Sequence, residues 1–184
     1  MLLGRRTSTI FGVLATSVAL AACGSSSSSS GVSPAAYVKS ICQAVGPFEK
    51  DVQSRSNSLN LAAVKSPAEG KTALQGFLNA VAADTDTAVN KLKGAGAPTV
   101  TNGKQIATAI VSAFTQLRSA LGQAATSAGS LPTTSPTAFK TAANTLGTNV
   151  RNSMSGIGSS LGGLKSPALE SAAKTEPTCQ NLGA

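Results

Sequence analysis

Residues 66–93, SPAEGKTALQGFLNAVAADTDTAVNKLK, state the fold most clearly. Leu74, Leu78, Val81, Ala88 and Leu92 recur at three-, four- and seven-residue steps, which puts them on one face of a 3.6-residue period, with Phe77 beside them. Ser66-Pro67 marks the start. The serine oxygen can accept from a first-turn N–H, and proline's missing N–H would have been unpaired there. Glu69 stands at the capping-box position. Lys91 and Lys93 suit the negative end, and Gly94 can close the helix. A helix over 67–93 is predicted.

The same Ser-Pro pair recurs at Ser33-Pro34, Ser135-Pro136 and Ser166-Pro167. A first helix is expected over 34–56, with Tyr37, Ile41, Val45, Phe48 and Val52 inward. Gly46-Pro47 falls inside it and predicts a kink or a break. After a turn at 94–98, a third helix over 103–128 turns Ile106, Ile110, Phe114, Leu117 and Leu121 inward. A fourth, over 136–164, carries Phe139, Ala143, Leu146, Val150, Met154, Ile157, Leu161 and Leu164. A short fifth, over 167–174, leads to Glu176-Pro177 and Cys179. No segment alternates apolar and polar residues long enough to be a strand.

Helices of roughly 25 residues are about 37 Å long. Four of them with modest loops predict an all-α fold, an antiparallel up-and-down bundle of four long helices plus a short C-terminal helix. Gly147, Gly156, Gly158, Gly162 and Gly163 are unusual in the fourth helix, since each interior glycine costs roughly 1 kcal/mol relative to alanine. They read as tight packing in the bundle, or as fraying near Gly162-Gly163. A hinge, or a face that a helix or ligand approaches closely, is the alternative.

The N-terminus has a different composition. Arg5 and Arg6 precede an apolar stretch from Ile10 to Ala19, too short to span a bilayer, where about 20 apolar residues are needed. It ends in Leu20-Ala21-Ala22-Cys23, which resembles the bacterial lipobox. That resemblance implies a diacylglycerol on the Cys23 thiol and cleavage between Ala22 and Cys23. Residues 1–22 are then a removed signal peptide, and 23–32 a lipidated cysteine with a linker containing Ser25 to Ser30. Residues 33–184 form the bundle domain. A flexible tether of about ten residues reaches about 17 Å, which keeps the domain near the membrane. The arginine pair also raises twin-arginine export, but Thr7, Ser8 and Thr9 follow it where that route wants large apolar residues, so general secretion fits better.

With Cys23 taken by lipid, Cys42 and Cys179 remain, and a single intramolecular pairing is possible. An exported domain sits in an oxidising compartment, where a disulfide is expected; two free thiols are the alternative. Four antiparallel long helices bring the start of the first and the end of the fourth to one end, as such a bond requires. The chain has 15 basic and 7 acidic residues, and two of the basic ones lie in the signal segment. The remaining excess is spread thinly, without the basic stripe and stacking aromatics of a nucleic-acid surface. It fits a solvated surface near anionic head groups.

Catalytic chemistry is poorly supplied. There is no histidine, which removes the commonest general base and metal ligand. Glu49 and Asp51, like Asp84 and Asp86, are two apart and do not share a helix face, so all four read as solvated. Ser155 and Ser160 have no base in their surroundings. No catalytic residue, metal site or cofactor is expected, and the chain reads as a non-enzyme.

The mature chain resembles the small Ala/Thr/Ser-rich lipoproteins of actinobacteria. The shared features are the lipobox, the serine linker, an early cysteine followed by Pro-Phe (Cys42 with Pro47-Phe48), and a late cysteine after Glu-Pro (Glu176-Pro177-Thr178-Cys179). The resemblance implies location and fold: a lipid-anchored protein on the extracytoplasmic face of the cell membrane. The function expected is a helical interaction module that binds an envelope protein or wall component. The alternative is a carrier or sensor for a small apolar ligand between helices.

Overall fold

The computed structural model describes residues 31–61, 63–161, 164–180 and 182. The expected signal peptide, Cys23, the serine run, Gly162 and Gly163 lie outside them. Five helices follow in order: α1 (Pro34–Ser58), α2 (Pro67–Gly94), α3 (Gly103–Gly129), α4 (Pro136–Leu161) and α5 (Pro167–Thr175). The chain is all-α among the described residues, with one isolated bridge between Val32 and Pro98.

All four Ser-Pro pairs open helices, and three of the serines cap them. Ser33, Ser66 and Ser135 accept from the N–H groups of Ala36, Glu69 and Ala138 at 3.3, 3.3 and 3.4 Å. Glu69 closes its box on the backbone N–H of Lys65 at 2.8 Å, one residue ahead of the cap. Pro47 leaves α1 continuous, without the break that Gly46-Pro47 allowed. The turn after α2 belongs to Gly96 rather than Gly94: Gly96 has φ +74° and Gly94 stays helical. Gly103 is required for a different reason, since a Cβ there would overlap the Pro98 carbonyl.

The packed pairs are α2 with α3, α3 with α4, α1 with α2, and α5 with α1. The Cys42–Cys179 disulfide joins α1 to the segment after α5, with 5.2 Å between Cα atoms. At the same end, Val32 donates to the Ala97 carbonyl and accepts from the Thr99 N–H, both at 2.8 Å. Further along, Arg55 pairs with Asp84 at 2.8 Å. From Val32 to Arg55 is about 23 residues, or 35 Å of helix, whereas from Ala97 back to Asp84 is about 13, or 20 Å. α1 therefore crosses α2 obliquely. Its last turn meets the middle of α2, and residues 63–66 lead into the start of α2 at the upper end of the bundle.

Leu78, Val81, Leu121, Ala124, Ala125, Ala128, Leu131 and Leu146 form the core, with Phe48, Val52, Phe77, Phe139 and Val150 against it. Much of it is alanine, which lets α2 and α3 approach closely. The expected inward stripe of α4 is only partly covered. Leu146 is buried, but Met154 is 49% exposed. Phe114 of α3 meets Phe48 of α1 edge-on at 5.8 Å, so this stretch of α3 is not free to cover α4.

Three of the α4 glycines are neither close-approach nor tight-packing sites. A Cβ on Gly147, Gly156 or Gly158 would meet nothing within 4 Å, and the same holds for Gly122 in α3. Gly122→Ala and Gly147→Ala are each expected to stabilise the domain by roughly 1 kcal/mol through helix propensity. The melting temperature should rise by about 2–4 °C for each. A lower one would show that the bare backbone is needed.

Candidate functional site

The lipobox residues Leu20, Ala21 and Ala22 and the lipid acceptor Cys23 lie outside the described residues. Cys42 and Cys179 are used up in the disulfide. The described residues hold no cluster of three or more His, Cys, Asp or Glu that could bind a metal, and no helix among them is long and apolar enough to cross a membrane.

Two of the carboxylates expected to be solvated are paired instead. Asp84 meets Arg55 of α1 and Asp86 meets Arg118 of α3, each at 2.8 Å. The two-residue spacing that keeps them from acting together sends them to different neighbouring helices. These ion pairs pin helix faces, and each contributes up to about 1 kcal/mol. Tyr37, the chain's one tyrosine, is buried in α1, and burial pushes its phenol above the ordinary 10.0. It stays protonated, as a packing group.

The structure adds a site that the sequence reading missed. Leu61 and residues 64–66 face the first turns of α2 and α4 across a cleft of about 490 Å³. Leu61, Val64, Pro67, Pro136, Phe139 and Ala143 make a largely apolar wall. Phe139 is held by a local device. A Cβ on Gly70 would lie 2.7 Å from Phe139 Cζ, so the ring rests on bare α2 backbone. Lys65 and Lys140 stand at the margin, both exposed, and neither forms an ion pair among the described residues. The available signal was the apolar pair Leu61 and Val64, placed in a connection where neither belongs to a helix stripe.

A second groove, about 680 Å³, runs along α1 past Val45, Phe48, Val52 and Leu182. Its only charged wall residue is Glu49.

The chain matches no protein-family model, no curated protein and no solved structure.

Proposed function

We propose that this chain is a membrane-anchored extracytoplasmic lipoprotein, held by lipid on Cys23, whose bundle serves as a non-enzymatic interaction module of the cell envelope. The observation that supports this reading is the clasp of Val32 on the α2–α3 turn. The lead-in from Cys23 leaves the bundle at that one end, beside the disulfide. The connection 130–135 and the residues 63–66 that lead into α2 are at the other end, turned away from the tether. A domain fixed at one end and free at the other is built to present its far loops to a partner.

The test has two parts. Cys23→Ser should abolish lipid labelling and release the protein from the membrane fraction; persistent labelling would overturn the anchor. A photocrosslinker at Thr133 or Thr134, both exposed, should capture a reproducible envelope component that one at Lys104, near the tether end, does not. Absence of any such product from the far end would overturn the interaction reading.

A further inference from the structure

We propose that the cleft between Leu61, residues 64–67 and the first turns of α4 binds a single-chain amphiphile with an anionic head. The acyl chain lies along Leu61, Val64, Pro67, Pro136, Phe139 and Ala143, and the head sits between the Lys65 and Lys140 ammonium groups. Three observations converge on this. The cleft is of small-ligand size, about 490 Å³, with a largely apolar wall. Among the described residues the only charged ones on that wall are two lysines, so its charge complements an anion. The nearest carboxylate in sequence, Glu69, accepts from the Lys65 backbone N–H and does not line the cleft.

The remaining geometry is consistent with this. The starts of α2 and α4 both border the cleft through Ser66, Pro67 and Pro136, and each helix presents the positive end of its dipole there. Glu69 in the first turn of α2 offsets that helix's dipole, whereas α4 has no acidic residue in its first turn. Phe139, resting on Gly70, keeps the apolar floor in place without a side chain beneath it. The proposal is independent of the lipid anchor, since it rests on the folded domain alone.

Photolabelling of the full chain with a diazirine-bearing dodecanoate tests it, with the modified residues mapped by mass spectrometry. Labels are expected within 61–67 and 136–144. Unlabelled dodecanoate or dodecyl phosphate should compete, dodecyl maltoside about tenfold less well, and acetate not at all. Lys65→Glu combined with Lys140→Glu should cut labelling about tenfold, the scale of losing two exposed ion pairs. Both sites are exposed, so the variant should keep the parent's circular dichroism and melting temperature. Ala143→Phe, which fills the cleft, should also block labelling. Labels scattered over the surface would overturn the site. Equal competition by the neutral maltoside, or full labelling of a folded lysine variant, would overturn the anionic head.

Discussion

Cleaving the Cys42–Cys179 bond, by reductant or by Cys42→Ser with Cys179→Ser, is expected to lower the melting temperature by about 10 °C. The bond joins residues 137 apart. In the chain-entropy description a loop of that size restrains the unfolded chain by about 5 kcal/mol. Native geometry explains why the domain relies on it. α5 packs chiefly on α1 and contributes no fully buried residue. Its cap Ser166 makes no side-chain capping bond, and Glu176 is engaged locally with Thr178. Without the covalent link, the segment from 164 to 180 has little to hold it on α1. Hydrogen exchange in α5 should therefore accelerate on reduction before the α2–α3 core opens. Circular dichroism melts with and without reductant measure the first effect. An unchanged melting temperature, with two thiols titrating in the reduced fold, would mean that packing alone holds the C-terminus.

Helix starts were the most legible part of the fold because their chemistry is local. Each Ser-Pro pair supplies an acceptor and removes a surplus donor within two residues, and all four open a helix. The disulfide was legible for a topological reason, since only an even number of long helices returns the chain to Cys42. What was not legible depends on neighbours. Periodicity identifies the apolar face of α4 as far as Leu161, but not whether another helix has surface left to cover it. Phe114 of α3 is occupied by Phe48, and Met154 is left exposed. The cleft was hidden more deeply. Its walls are some 70 residues apart in sequence, and no pattern along one helix records that they meet.

Leu121→Ala in α3 is expected to cost about 3 kcal/mol, and Ala128→Leu one turn or two further on to cost about 2. The two substitutions fail in opposite senses at the same seam. Leu121 is buried in the cluster with Leu78 and Val81 of α2, so shortening it removes contacts and leaves a void that the alanines around it are too small to fill. Ala128 is 0% exposed, in the same cluster as Leu131 and Leu146. Three added carbons there must push α2 or α4 away. Sequence periodicity favours leucines over alanines when it names a core, because alanine in an Ala-rich chain stands on every face of a helix. At the α2–α3 seam the alanines decide the spacing: Ala124, Ala125 and Ala128 bring the backbones close enough for Leu78 and Leu121 to fill what remains. Thermal melts of both variants separate this from a loosely packed core. In a loose core Leu121→Ala would still cost stability, but Ala128→Leu would be tolerated or would stabilise. If the larger side chain at Ala128 left the melting temperature unchanged, α2 and α3 would not be in the close contact on which the bundle is built.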